Sequence, residues 1–159
     1  MSGLSPGDPA PDFELDTDSG ERFRLSAQRG RPVVLFFYPA DDTEGCTVEN
    51  IEFSQLAAAF GDLGVTVLGL SPDSIEKHCN FRDKHGLTVP LAADPDRAAI
   101  DAYGVWGPKK LYGREYEGLH RTTFLIDGDG RIAAAWKVRR IKGHAQAVLE
   151  AARELTGRT

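Results

Sequence analysis

Two stretches of the chain are apolar at nearly every position and rich in β-branched and aromatic residues. They cover residues 32–38 and 65–70, and such runs are typical of strands that are covered on both faces of a sheet. Two later stretches, 121–127 and 132–138, are separated by Gly128-Asp129-Gly130, which predicts a β-hairpin. The hydrophobic pattern therefore predicts a β-sheet at the centre of the fold.

The segments between these strands carry apolar residues at helical spacing. The first predicted helix covers about 46–60 and ends before Gly61. Its apolar stripe consists of Val48, Ile51, Leu56 and Phe60. The other predicted elements are an N-terminal hairpin that turns at 18–20, helices at 73–85 and 96–103, a short strand at 87–91, a long loop at 104–118 and a last helix through 145–155. This order predicts one α/β domain over residues 1–159, with a mixed central sheet and helices on both faces.

The composition narrows the class of partner. The chain has 159 residues, a net charge of −5 and 41% hydrophobic residues, which argues against nucleic acid or an anionic membrane as the main partner. No apolar run approaches the roughly 18–20 residues of a membrane helix, and the N-terminus does not resemble a signal peptide. We therefore expect a cytoplasmic protein, in which thiols are kept reduced and the two cysteines are not a permanent disulfide.

Cys46 lies at the predicted joint between the first buried strand and its helix, where sites of open α/β sheets are found. A thiolate is the nucleophilic form of cysteine, and the positive end of a helix dipole favours that anion. Thr43 could place a hydroxyl on the same side as the sulfur, Pro39 would fix the exit from the strand, and Gly45 would let a small substrate approach the backbone. The alternative is that Cys46 is a small buried hydrophobe without chemistry.

The pattern Pro39-x-x-x-Thr43-x-x-Cys46 resembles the signature of peroxiredoxins, and residues 37–49 are similar to the peroxiredoxin Q, or bacterioferritin comigratory protein, subfamily. Other matching segments follow in order along nearly the whole chain: 10–13, 71–74, 104–107, 112–113 and 121–127. The resemblance implies a thioredoxin-like fold and a peroxidase that carries its chemistry on protein sulfur. No phosphate-binding glycine motif or metal-ligand spacing is present, so neither a nucleotide cofactor nor a metal is predicted.

The resemblance assigns Pro39, Thr43, Cys46 and Arg121 to the active site, with Cys46 as the residue that attacks the peroxide. A guanidinium is suited to this role because it stabilises a thiolate and never loses its charge. Glu49 resembles the glutamate that orients this arginine. Taken without the family, Arg121 could instead pair with an acid at a strand edge, and Glu49 could be a helix-start acid favoured by the dipole.

Two positions depart from the subfamily pattern. Glu44 stands where a proline is usual and brings a carboxylate near the thiol, and Ile51 stands where many members have a second, resolving cysteine. Cys79 is then the only candidate for that role, as in members that use a cysteine in this helix. From the residues alone, Cys79 lies four positions after Ile75 and could be a buried, inert thiol. We expect the reduced cysteines to lie too far apart to bond, so that bridging requires local unwinding.

The leading functional prediction is a peroxidase for hydrogen peroxide and organic hydroperoxides, which is recycled by thioredoxin or a similar dithiol. The alternatives are a thiol-disulfide oxidoreductase on the same fold, or a holdase-like or partner-binding module that has lost turnover. The absence of a Cys-x-x-Cys motif weakens the first alternative. Because no exposed interface strand is evident, we expect a monomer.

Overall fold

The computed structural model describes residues 4–157 as nine strands, five α-helices and one short 3-10 helix. The strands are β1 (Glu14–Asp16), β2 (Arg22–Arg24), β3 (Val33–Phe37), β4 (Thr66–Ser71), β5 (Leu91–Ala93), β6 (Trp106–Leu111), β7 (Arg114–Leu119), β8 (Thr122–Ile126) and β9 (Ile132–Lys137). The helices are α1 (Glu44–Gln55), α2 (Ala57–Asp62), α3 (Ile75–His85), α4 (Ala98–Ala102) and α5 (His144–Thr156), and the 3-10 helix covers Leu25–Gln28. Among these residues, no helix is both long and apolar enough to cross a membrane.

Five strands form the central sheet in the order β5-β4-β3-β8-β9. Strands β3, β4 and β5 are parallel, whereas β8 is antiparallel to both β3 and β9. All five residues of β3 are buried, as expected from its uninterrupted apolar sequence at the centre of the sheet. The predicted mixed sheet, the N-terminal hairpin β1–β2 and the hairpin β8–β9 are confirmed.

Alternate side chains of β3 divide the core into two layers. Leu35 packs in the layer that contains the β1–β2 hairpin and α4, while Phe36 packs in the layer that contains α1, α2, α3 and α5. Helices therefore cover both faces of the sheet, which confirms the predicted architecture.

The first helix differs from its prediction in its start and in its buried side. It begins two residues earlier, at Glu44, and a break at Leu56 separates α1 from α2. Val48, on the predicted apolar stripe, is 40% exposed. The side that faces the interior carries Cys46, Glu49, Asn50 and Phe53. The apolar pattern did not predict this side of the helix because a carboxylate and an amide are buried on it. The carboxylate is hydrogen-bonded to another side chain, and the amide to the backbone.

The long loop predicted at 104–118 is wrong, because this segment forms the antiparallel hairpin β6–β7. Its turn is Tyr112-Gly113, and both residues have positive φ angles of 52° and 76°. Nearly all of β7 is exposed and charged or polar, so the hairpin lacks the alternation by which strands are recognised. The strand predicted at 87–91 lies later in the chain and begins at Leu91 as β5.

Candidate active site

Cys46 is the third residue of α1 and lies just beyond the carboxyl end of β3, with no exposed surface. Thr43 is the N-cap of the helix and has an extended backbone conformation. The first backbone N–H groups of a helix have no partner within the helix, and together with the helix dipole they create a positive environment. The predicted position of the thiol at a strand-to-helix joint is therefore confirmed.

Arg121 connects the thiol to a buried carboxylate. Its Nη2 donates a hydrogen bond to Cys46 Sγ at 3.3 Å, and its Nη1 donates to Glu49 Oε1 at 2.6 Å. Burial raises the pKa of Glu49 to about 7 although the guanidinium opposes the change. Burial would lower the pKa of Arg121, but the charges of Glu49 and Cys46 outweigh it and raise that pKa. The structure thus brings together three of the residues that the sequence assigned to the site, with a permanent cation beside the sulfur.

Gly45 makes the close approach of this guanidinium possible. A Cβ atom at this position would lie 2.8 Å from Ile141 Cδ1 and 3.3 Å from Arg121 Nη2. The sequence predicts that this glycine lets a substrate approach the backbone. In the structure, the groups that approach it are the side chains of Ile141 and Arg121.

Replacing Gly45 with alanine should slow peroxide turnover on the order of 10²-fold, because the new methyl group displaces the guanidinium from the sulfur. Helix propensity alone favours alanine by about 0.5–1 kcal/mol, so the loss would not come from the helix. Steady-state peroxide consumption measures the effect. Adding Ile141→Val removes the atom of closest approach and should restore part of the rate; an unchanged rate in Gly45→Ala would contradict this role.

Thr43 and Pro39 lie at the edge of the site. The Thr43 hydroxyl donates to Ala40 O at 3.1 Å rather than to the sulfur, and it retains the capacity to accept a hydrogen bond. Glu44, the residue that replaces the usual proline, is exposed at the first position of α1. The sequence predicts that the Thr43 hydroxyl lies on the same side as the sulfur; a direct bond to Cys46 is not among the hydrogen bonds of residues 4–157.

A cavity of about 680 Å³ opens beside Arg121. Its lining comes from the end of β3, the β6–β7 hairpin and the adjoining ends of β8 and β9. The lining residues are Pro39, Gly104, Val105, Pro108, Lys109, His120, Arg121, Thr122, Lys137, Val138 and Arg139. A substrate in this cavity would meet the guanidinium that contacts Cys46.

Comparisons with known proteins agree with this geometry. The model of the AhpC/TSA family matches residues 6–135. The chain is a peroxiredoxin of this family. It is 41% identical over 150 residues to Peroxiredoxin Bcp of Bacillus subtilis, a match that covers 94% of this chain and 96% of that protein. It is 42% identical over 143 residues to a putative peroxiredoxin bcp of Coxiella burnetii, with 90% and 95% coverage.

Solved structures show the same fold. Peroxiredoxin Q of Xanthomonas campestris superimposes with a TM-score of 0.87 at 36% identity, over 98% of each chain. A cysteine-to-serine mutant of PrxQ from Xylella fastidiosa superimposes with a TM-score of 0.90 at 34% identity, over 97% of this chain and 98% of that one. These matches confirm the thioredoxin-like fold and the resemblance to the peroxiredoxin Q subfamily.

The second cysteine of this peroxiredoxin, Cys79, lies far from the first. Its Sγ donates to Asp18 O at 3.6 Å, and Asp18 is hydrogen-bonded to the edge strand β5. Cys46 instead contacts Arg121, which precedes β8, and β8 lies three positions from β5 in the sheet, a separation of roughly 14 Å between these two strands. Both cysteines are free thiols. Cys79 is only half-buried, and α3 instead buries His78 and Phe81, which corrects the expectation of a core-facing thiol.

A buried polar network, which sequence reasoning missed, holds the segment before Cys46 against α3. Tyr38 Oη donates to Asp41 Oδ1 at 2.6 Å, and Asp41 Oδ2 lies 2.6 Å from His78 Nδ1. His78 Nε2 lies 2.9 Å from Ala92 O, a carbonyl that can only accept, so the imidazole donates through Nε2 to the backbone of β5. Asp41 and His78 are 37 residues apart in the chain, and no local motif connects them.

Replacing His78 with alanine should lower the free energy of unfolding by about 3–5 kcal/mol, because Asp41 stays buried without its partner. Denaturant unfolding followed by circular dichroism measures the change. The matched control is Lys84→Ala, which removes an ion pair between the same two segments. That pair joins Lys84 and Asp42, which are 60% and 47% exposed, so its loss should change stability little. Equal effects in both variants would contradict a special role for the buried pair.

Proposed function

We propose that this peroxiredoxin reduces hydrogen peroxide and organic hydroperoxides at Cys46, and that a Cys46–Cys79 disulfide, reduced by thioredoxin or a similar dithiol, completes the cycle. The observation that carries this proposal is the hydrogen bond from Arg121 to the sulfur of a buried cysteine at a helix N-terminus, beside a cavity. A structure of the bacterioferritin comigratory protein of Xanthomonas campestris, described in terms of alkyl peroxide reduction, matches this chain with a TM-score of 0.87 at 35% identity.

The first step follows from the charges around Cys46. The thiolate attacks one peroxide oxygen, the O–O bond breaks, and its electrons leave with the second oxygen as an alkoxide or hydroxide that takes up a proton. The oxidised cysteine is a sulfenic acid. Arg121 donates to the thiolate and is close enough to donate to the developing negative charge on oxygen, while Glu49 fixes the plane of the guanidinium.

The second step joins two thiols that the folded structure keeps apart. Cys79 sulfur displaces water from the Cys46 sulfenic acid and forms a disulfide, which needs Cα atoms within about 7 Å. Cys46 must therefore leave its buried position in the first turn of α1, and Cys79 must leave Asp18. A disulfide formed by such local unwinding would be easily reduced, as the next catalytic cycle requires.

One equivalent of hydrogen peroxide should produce an intramolecular Cys46–Cys79 link in the reduced protein. Mass spectrometry of unreduced peptides detects it, and the Cys79→Ser variant should instead hold Cys46 as sulfenic acid while consuming the same single equivalent. Detection of Cys46 sulfenic or sulfinic acid with Cys79 still free in the parent protein would show that an external thiol resolves the intermediate.

Replacing Thr43 with valine should slow turnover on the order of 10²-fold with little change in stability. The substitution keeps the side-chain shape but removes a hydroxyl that lies at the helix start and can accept a hydrogen bond from a bound peroxide. The matched control is Thr47→Val, which removes a hydroxyl one turn further on that donates to Thr43 O. Equal rates in the two variants would indicate that Thr43 only begins the helix.

We also propose that the protein is a cytoplasmic monomer. Two free thiols suit a reducing compartment with dithiol reductants, and the exposed Lys137 on the edge strand β9 disfavours pairing with a second sheet. Sedimentation at several protein concentrations tests the oligomeric state, and cell fractionation tests the compartment.

A further inference from the structure

The cavity beside the active site concentrates positive charge. Among the described residues that line it, four are lysines or arginines, one is a histidine and none is acidic, although the whole chain has 24 acidic residues against 19 lysines and arginines. The basic residues are Lys109, His120, Arg121, Lys137 and Arg139. A local excess of this kind, on a protein of net charge −5, indicates a site for an anion.

The cations come from separate segments that only the fold brings together. Lys109 is on β6, Arg121 precedes β8, and Lys137 ends β9, with Arg139 two residues beyond it. Lys109 is half-buried, and its ammonium donates to Leu119 O at 2.9 Å. The β6–β7 hairpin therefore adds a second cation to the cavity that Arg121 lines.

These cations lack the acidic partners that Arg121 has. None of the ion pairs formed within residues 4–157 includes Lys109, Lys137 or Arg139. Burial, and secondarily the charge of Arg121, lowers the pKa of Lys109. A cation held near another cation without an acid is unfavourable until an anion occupies the space between them.

The dimensions of the cavity suit more than hydrogen peroxide. Its volume of about 680 Å³ is within the range of pockets that enclose drug-sized ligands. Apolar surface from Val105, Pro108 and Val138 lies among the cations. The lining thus combines an apolar wall with separated positive charges, and one end of it is the arginine that contacts the reacting sulfur.

We propose that this cavity binds organic hydroperoxides that carry a negatively charged group. The anion, here a carboxylate, is held by Lys109, Lys137 and Arg139. The apolar wall covers the carbon skeleton, and the hydroperoxide end reaches Arg121 and Cys46. This inference rests on the proposed peroxidase function and adds a substrate class to it. The chemistry at sulfur is unchanged; the cations raise the concentration and fix the orientation of anionic substrates at the site.

The test uses two substrates that differ only in charge: cumene hydroperoxide with a para-carboxylate, and the methyl ester of the same compound. The rate of Cys46 oxidation is measured by rapid quenching into denaturant, which exposes the thiol, and thiol labelling in a Cys79→Ser background, so that no disulfide or reductant enters the measurement. We expect the carboxylate to react about tenfold faster than the ester at low salt, which corresponds to about 1.4 kcal/mol. Added salt should reduce this ratio.

A charge-matched pair of variants distinguishes the cavity from the net charge. The triple substitution Lys109→Gln, Lys137→Gln and Arg139→Gln should bring the ratio of carboxylate to ester rates close to one. The control triple is Lys110→Gln, Arg140→Gln and Lys142→Gln, exposed residues that do not line the cavity, and it should keep the parent ratio.

Two results would overturn the inference: a ratio near one in the parent protein, or equal loss of the ratio in both triple variants. Failure of every peroxide, the ester and hydrogen peroxide included, to oxidise Cys46 would overturn the peroxidase proposal itself and the inference with it. Oxidation by the ester without preference for the carboxylate would overturn the inference alone.

Discussion

Replacing Cys46 with serine should reduce peroxide consumption to the rate measured without protein. Enzymes typically exceed uncatalysed rates by at least about 10⁶-fold, so this is the largest effect expected of any single substitution here. A serine hydroxyl remains protonated at neutral pH and is a weak nucleophile without an adjacent base, whereas a thiolate forms readily and accepts oxygen. Peroxide consumption with an excess of dithiol is the measurement.

The fold should survive the Cys46→Ser substitution, because serine is similar in size and Arg121 Nη2 can donate to its hydroxyl as it does to the sulfur. An unchanged circular dichroism spectrum would verify this. The matched control is Cys79→Ser, which keeps the first oxidation of Cys46 and needs an external thiol to turn over. Residual turnover in Cys46→Ser would place the reacting sulfur on Cys79 and contradict the proposed mechanism.

Replacing Arg121 with alanine should slow turnover about 10²–10³-fold, the usual cost of removing one donor that stabilises developing charge. Stability should also drop, by at most about 3–5 kcal/mol, since Glu49 is left buried without its partner and must take up a proton to stay there.

A double variant separates these two effects of Arg121. Adding Glu49→Gln to Arg121→Ala removes the unpaired charge and should recover most of the stability without recovering the rate. Arg121→Lys keeps a positive charge but cannot donate to Cys46 and Glu49 in the fixed geometry of a guanidinium, so its rate should lie between those of the parent and the alanine variant. Recovery of the rate in the double variant would show that Arg121 acts through stability alone.

The sequence predicts the parts of this fold in which local pattern and burial agree. The uniformly apolar β3 and β4 and the turn before β9 were identifiable because each has only one plausible environment. The contact between Cys46 and Arg121 follows from the pairing of strands in the sheet. Because β8 runs antiparallel to β3 and Thr122 pairs with Phe37, the residue before β8 reaches the end of β3. The resemblance to the family predicted that Cys46 and Arg121 share a site, whereas the spacing of the two residues along the chain does not predict it.

Other parts of the site could not be predicted, for identifiable physical reasons. The buried side of α1 carries Glu49 and Asn50, and amphipathic patterns assign such residues to solvent. The hairpin that carries Lys109 is exposed on most of one strand, and its glycines and proline are typical of loops. The contact between Asp41 and His78 depends on tertiary packing, because only the docking of α3 against the β3–α1 connection brings the two side chains together.

The complete burial of Cys46 separates two kinds of thiol reactivity that are often treated as one. A hydrogen peroxide molecule is small enough to reach a sulfur beneath the surface, where Arg121 and the helix start activate it. A bulky alkylating probe needs open space around its target and would modify the half-buried Cys79 first. Surveys that rank cysteines by alkylation would therefore select the wrong residue in this protein, while a search for sulfenic acids would find the right one.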